Sequence, residues 1–487
     1  MSDRRFSPAW RTMLIAGVVA LAGASVAVFP AASRGDRIVE ERAAGPGGKG
    51  TGGPSTTGTG GPSTGGTTGV APSRAGLACA AGQNGGATDT GITADTIKLG
   101  ATVVDSGIGA SFLRDARFAM IAVKNRVNRA GGICGRRIEL VLRDDGWEFE
   151  RGGEFLRDIV EQSKVFALAV VPSSEGLLNV SKAGYLDAKG VPVVGTDGML
   201  IHQYTDPYIW PVAASTISTM HIMVAHAAKV WGAKHFALVY ESTYHFGIEG
   251  AYAFNQAVKR VTGSGVPGYS NPVTSPGCAQ RFCGISATAG NYNREIETFN
   301  NSCYAEPRCD FVALLLEPAT ALAWIKAGAI MPPDNFRMGG VQPLFTSNFA
   351  EECREKCNGL WLWTGYQPPI AGAQGRPEMR NYVDDVRQAS EGADSSNTFV
   401  EGAYVGMELM VRALEEVGPE LTRARLKAAL DSLTFSSGLA PTLSWSPGDH
   451  FANTSMRAFS IQYVGRFSGW ADEATQVSDP WIGRDIP

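Results

Sequence analysis

The chain of 487 residues lacks most of the motifs that announce catalysis. There is no G-x-x-x-x-G-K-[ST] loop, and no G-x-G-x-x-G follows a strand-like run, so a nucleotide cofactor has no cradle. No G-x-S-x-G elbow occurs, which leaves a serine hydrolase without an anchor. Histidine is scarce: the six, at 202, 221, 226, 235, 245 and 450, form no H-E-x-x-H. His221 and His226 read as surface or packing residues. Charge of one sign is also modest, since 43 Lys and Arg against 47 Asp and Glu give −4, and this excludes a basic footprint for nucleic acid. Asp144-Asp145 closes a strand-like run. Neighbouring strand residues point to opposite sides, so the pair reads as a solvated turn rather than an acid/base couple. With no nucleophile beside an activating base, the chain is expected not to be an enzyme and to need no cofactor.

What is present suits an exported globular protein. The length exceeds one ordinary core and fits two or three domains plus extensions, and 44% apolar with 18% charged residues is a folded composition. Arg4, Arg5 and Arg11 precede an uncharged apolar run from Met13 to Ala32. That run matches the thickness of a bilayer, while Ala31-Ala32-Ser33 offers a small-residue cleavage site, so residues 1–35 read as either a retained anchor or a signal peptide. Residues 43–76 are almost all Gly, Ser, Thr, Pro and Ala, a composition that cannot bury a core, and the segment 36–90 is expected to be a flexible linker. The bulk of the chain then lies outside the cytoplasm. Eight cysteines agree. Cys278 and Cys283, Cys303 and Cys309, and Cys353 and Cys357 fall as close pairs, leaving Cys79 and Cys134. Local disulfides are expected, although Cys353 and Cys357, four apart, would lie on one face of a helix if the helix ran through them. Metal binding has no support from these spacings, because no histidine lies at zinc-ligand distance along the chain.

From Ile97 onward, strand-like and helix-like segments alternate. Ile97 to Val104, Arg137 to Leu142, Val165 to Val171 and Val191 to Val194 read as strands, with helices predicted over 112–130 and 150–162. The pattern repeats: strands at His235 to Tyr240, Asp310 to Leu316, Arg337 to Gly340 and Leu360 to Trp363, and helices at 216–231, 248–261, 319–327, 399–417 and 422–432. Residues 263–309 are loop-rich, and β-like segments close the chain. Continuous apolar runs of this length suit strands buried on both faces, so the fold class is α/β, with two doubly wound lobes. In such sheets ligands sit beyond the carboxyl ends of the strands. The polar and aromatic residues at those ends are Asp105 and Ser106, Trp147, Ser173 and Ser174, Asp197, Gly198 and Met199, Tyr244, His245 and Phe246, and Glu317. Ser174 is placed to cap the following helix. Hydroxyls and amides that fix a small ligand, with aromatics covering it, suit a binding crevice.

Several short stretches carry a family resemblance. These are Ile97-Lys98-Leu99-Gly100; Asn128-Arg129-Ala130-Gly131-Gly132-Ile133 with Gly135-Arg136-Arg137-Ile138; Asp144-Asp145; Ser173-Ser174; Gly190-Val191-Pro192-Val193-Val194; and Phe246-Gly247. Over about 91–470 the chain resembles the extracytoplasmic solute-binding proteins of ABC transporters with the type I periplasmic-binding fold, in the leucine/isoleucine/valine-binding branch. The resemblance implies two Rossmann-like lobes joined by three crossings, near 211–215, 364–369 and 436–442, with lobe 1 formed by 91–213 plus 367–437 and lobe 2 by 214–366 plus 438–487. It implies that a ligand carboxylate meets Ser173, Ser174 and the backbone of Asp197 to Met199, while the other lobe adds residues around His245, Phe246 and Glu317. Two departures bear on the ligand. The second loop holds Asp197 and Met199 in place of small residues and a hydroxyl. After Arg337 to Gly340, Val341-Gln342 stands where an acid for the ligand's amino group is expected. Glu317 is the candidate substitute. The expected ligand is a small polar solute, amino-acid-like or an amide, amine or polyol, delivered to an ABC permease. The alternative is a tethered ectodomain that signals to a membrane partner, and a secreted hydrolase on a related fold is the remote third.

Overall fold

The computed structural model describes residues 71–74, 76–80, 82–329, 336–370, 373–464 and 467–487, without the side chains of 464 and 467–475. The apolar run Met13 to Ala32 and most of the expected linker lie outside them. The strands are β1 (Thr96–Val103), β2 (Arg137–Asp144), β3 (Ala167–Ala169), β4 (Val193–Thr196), β5 (Ile209–Pro211), β6 (Phe236–Glu241), β7 (Cys278–Ala279), β8 (Phe282–Ile285), β9 (Phe311–Leu315), β10 (Arg337–Gly340), β11 (Leu360–Thr364), β12 (Thr434–Phe435), β13 (Leu443–Ser444), β14 (Ser455–Val464) and β15 (Phe467–Ser478). Two sheets hold most of them. The first is ordered β2-β1-β3-β4-β5 and is parallel throughout. The second is ordered β15-β14-β11-β10-β9-β6-β8-β7. Its centre is parallel, and its outer strands β14, β15 and β7 run antiparallel. Every residue of β6 and β9 is buried, as expected of strands covered by helices on both faces.

The apolar run from Val165 to Val171 yields only three strand residues. Val170 and Val171 take φ of 69° and 26°, and the Val171 amide donates back to the Ala169 carbonyl at 2.8 Å. That i to i+2 bond is a γ-turn about Val170, a conformation a β-branched residue adopts only under constraint, so the strand ends early and the chain turns toward the lobe boundary. The loop-rich stretch contains a hairpin not read from the sequence: Cys278 in β7 stands opposite Cys283 in β8 and is bonded to it. The other disulfides are Cys79–Cys134, Cys303–Cys309 and Cys353–Cys357. Cys353 and Cys357 do not share a helix, because the helix Ser347–Cys353 stops at Arg354, whose φ is 54°, and a 3-10 turn brings Cys357 round.

The folded part starts before the expected linker ends. Leu77 bridges Ile133, Cys79 is bonded to Cys134, and Arg74 pairs with Asp385 at 3.3 Å. The Arg136 guanidinium gathers the carbonyls of Asn84, Gly86 and Thr93. Among the described residues, the chain passes between the sheets from Pro211 to Thr216, after Thr364, and between β13 and β14. The last, expected at 436–442, falls after Trp445. Phe435, Leu439, Leu443 and Trp445 belong to the core around the first sheet, and the Trp445 indole donates to the Pro211 carbonyl at 3.2 Å.

Candidate functional site

The carboxyl ends of both sheets face one crevice, and it is closed. A single apolar cluster runs through it, joining Val104, Phe112, Trp147 and Met199 from the first lobe to Phe246, Val341 and Trp363 from the second. Trp147 is the hub. The tight turn after β2 holds it at φ 66°, with its amide bonded to Asp145 Oδ1 at 2.9 Å. Its ring stacks on Tyr244 at 4.4 Å, lies 5.7 Å from Phe246 and meets the edge of Phe112 at 5.3 Å. Its indole Nε1 donates to Ser174 Oγ at 3.2 Å. Ser174 therefore does not cap its helix. It is the first residue of Ser174–Lys182, whose N-cap is Ser173 without a side-chain cap bond. Next to it, Glu175 reaches across the boundary: Oε1 accepts from the His245 amide at 2.9 Å, and Oε2 lies 2.7 Å from His245 Nδ1. A second crossing bond runs from the Ile201 amide to Glu249 Oε2 at 2.9 Å, and a third from the Ser347 amide to Asp394 at 2.9 Å.

Asp197 sits at the centre. Its Oδ1 accepts from Gln203 Nε2 at 2.8 Å and from the Met199 amide at 3.2 Å. Its Oδ2 is buried and finds no hydrogen-bond partner among the described residues. Burial pushes its pKa up to about 7, and nearby Glu175 adds to the rise. Gly198, at φ 71°, must lack a side chain, because a Cβ there would come within 2.3 Å of the Tyr204 hydroxyl. That hydroxyl donates within reach of two carbonyls, Gly198 at 2.9 Å and Ala213 at 2.8 Å. Two small cavities meet at Asp197, Gln342 and Phe399. Val170, Pro172, Gly195, Tyr366 and Thr398 are among the other residues lining the first, and Met199, Thr216, Thr219 and Phe246 among those lining the second. The Tyr366 hydroxyl, fully buried, likewise has no partner among the described residues.

The sequence-predicted residues thus separate into groups. Asp197, Met199 and Phe246 line the cavities. Trp147, Ser174, Tyr244 and His245 form the shell that closes over them, and Ser173 lies buried behind. Asp105 and Ser106 stand apart on the rim, where Asp105 pairs with Arg117 and both amides donate to Asp144 Oδ1. Glu317 is occupied elsewhere: its carboxylate caps the helix Pro318–Lys326, accepting from Ala319 and Thr320 amides at 2.6 and 2.5 Å. Asp144-Asp145 is not a solvated turn. Asp145 is fully buried, which pushes its pKa to about 6, with the Ser173 hydroxyl and the Trp147 amide opposing the rise. His221 is also buried, its nitrogens 3.1 Å from Asp479 and 2.8 Å from Asp485, so it packs the C-terminal tail. Sequence reasoning did not single out Tyr366, Thr398, Phe399 or Glu175 as site residues, and noted Gln342 only as a departure.

Two doubly wound lobes that close over cavities lined from both sides define a bilobal binding protein of the type I periplasmic-binding fold. The chain belongs to the periplasmic binding protein family, whose model matches residues 96–278 and 298–466. Solved structures of similar fold include a fatty acid ABC transporter substrate-binding protein from Thermomonospora curvata, 17% identical with a TM-score of 0.65, covering 82% of this chain and 97% of that one. An ABC-transporter solute-binding protein from R. palustris in complex with 4-hydroxybenzoate is 17% identical with a TM-score of 0.64, covering 79% and 98%. A leucine-binding protein from Thermotoga maritima is 15% identical with a TM-score of 0.62, covering 79% and 99%. No curated protein matches the chain. The family and these neighbours are binding proteins, which supports a solute-binding role and suggests an extracytoplasmic location. No helix among the described residues is long and apolar enough to cross a membrane.

Proposed function

We propose that this protein captures a small polar solute between its lobes, outside the cytoplasm, and delivers it to an ABC importer. The observation that carries the reading is the pair of buried polar groups, Asp197 Oδ2 and the Tyr366 hydroxyl, that line the closed crevice without a hydrogen-bond partner among the described residues. Leaving such atoms unsatisfied costs free energy that a ligand's donors would return. The neighbours named above, which bind ligands as small as 4-hydroxybenzoate, support the size class. The lobes we assign are the first sheet with the preceding segment from 71 and the helices of 377–430, and the second sheet with the C-terminal tail. No step of bond making enters this role; the side chains bind, orient and exclude water.

The test is a thermal-shift screen of the purified protein against amino acids, amides, amines, polyols and small carboxylates. A ligand at a hundred times its dissociation constant stabilises a binding-competent fold by about 2.7 kcal/mol. A clear shift with one chemical class supports capture. No shift across the whole library rejects it.

A further inference from the structure

Resting on that reading, we infer that the captured solute is a small organic cation, a short primary amine or amino alcohol without a carboxylate, whose ammonium group is held by Asp197, Tyr366 and Gln342. Three observations converge. The shared wall of the two cavities carries a buried carboxylate oxygen with no partner among the described residues, and the Tyr366 hydroxyl lines the first cavity with none either. Gln342 lines both cavities and brings a side-chain carbonyl, so the set matches the three donors of a primary ammonium. Among the described residues, no lysine, arginine or histidine lines either cavity. An anionic group there would meet Asp197 with no countercharge, which is costly in a site removed from water.

The serine edge that would greet a carboxylate stands away from both cavities. The Ser174 hydroxyl accepts the Trp147 indole, Ser173 lies against buried Asp145, and neither serine lines a cavity. A second acid, Glu175, acts on Asp197 through its charge and favours a positive ligand further. Phe399 borders both cavities and Phe246 the second, so aromatic faces stand near the expected cation. Thr216 and Thr219 in the second cavity offer hydroxyls to the far end of an amino alcohol.

Isothermal titration of the full chain with ethanolamine, propylamine, erythritol, leucine and 4-hydroxybenzoate tests this. Ethanolamine or propylamine is expected to bind at least tenfold more tightly than any of the other three. Asp197→Asn, which keeps the oxygen that Gln203 and Met199 use, is expected to cut amine affinity at least tenfold with the unfolding midpoint retained. Tyr366→Phe is expected to cut it several-fold, and this keeps the assignment testable should the first variant misfold. Binding of leucine, 4-hydroxybenzoate or erythritol in preference to the amines would sink the cationic assignment while leaving solute capture standing. Amine binding unchanged in both variants would remove Asp197 and Tyr366 from the site. Silence with these probes and with a broad neutral and anionic library would take solute capture down with it.

Discussion

Asp145, Asp197 and Glu249 are carried out of water by folding, and burial raises their pKa values to about 6, 7 and 7. The sign follows from proton binding. Their folded-state values lie above the unfolded ones, so the folded state holds more protons between about pH 4 and 7, and the stability these groups contribute is present below pH 4 and lost as pH rises through 7. The groups facing them modulate the size: Thr102, Ser173, Asp144 and the Trp147 amide for Asp145; Gln203, Glu175 and the Met199 amide for Asp197; the Ile201 amide, His245, Glu175 and Lys182 for Glu249. Thermal midpoints of the ligand-free protein are expected to fall between pH 5 and 8, and Asp197→Asn to flatten that slope. A midpoint that rises over this range would contradict the assignment. At this scale the sequence was partly legible. Asp197, Met199 and Phe246 were visible because each follows an apolar run that ends abruptly. Tyr366 and Phe399 were not, since one lies on a crossing segment and the other opens a helix, and neither position says which cavity it will face. Glu317 looked equally exposed to ligand until its helix claimed it as a cap.

Among elements, close backbone approach decides where the site sits. Gly195, within β4 and lining the first cavity, has φ 85°, and a Cβ on it would stand 2.3 Å from the Gly406 Cα of the helix Thr398–Val417. The same helix supplies Thr398, Phe399, Gly402 and Ala403 to the cavity. Gly406→Ala is therefore expected to push this helix off the sheet, destabilising the protein by about 1–3 kcal/mol as overpacked cores do. Denaturant unfolding reads that cost, and a variant as stable as the parent would show that the approach is not tight. The alternation of strands and helices was legible because short continuous apolar runs suit strands buried on both faces and recur between helix-period segments. The β7–β8 hairpin was not, because two residues carry no period and the disulfide between Cys278 and Cys283 fixes their pairing. The shortened β3 was hidden for a different reason. Nothing in Val170-Val171 signals positive φ, which the surrounding packing imposes.

For the molecule as a whole, the closed arrangement is held by a few bonds across the crevice. The Glu175–His245 pair is partly exposed, His245 retaining 38% of its side-chain accessibility, so its contribution is screened and modest. His245→Ala is expected to speed ligand dissociation by roughly threefold to tenfold, consistent with about 1 kcal/mol for such a bond, with little change in association. Stopped-flow displacement measures it, and an unchanged off-rate would show that the pair does not latch the lobes. Two lobes were readable from the repeated alternation. The neighbourhood of the third crossing was harder to read, because Leu443 and Trp445 look like generic β-like residues, whereas their burial in the core around the first sheet is a matter of tertiary contact. The Trp147–Tyr244 stack has an optical consequence. The tryptophan follows β2 of the first sheet and the tyrosine follows β6 of the second, and Trp147 is 1% exposed. When the lobes part, the indole loses its partner and gains water, so its emission should move to longer wavelength and its collisional quenching by iodide should increase. The difference spectrum between the parent and Trp147→Phe, one tryptophan among 10, then gives a label-free gauge of how far the crevice stands open at any ligand concentration.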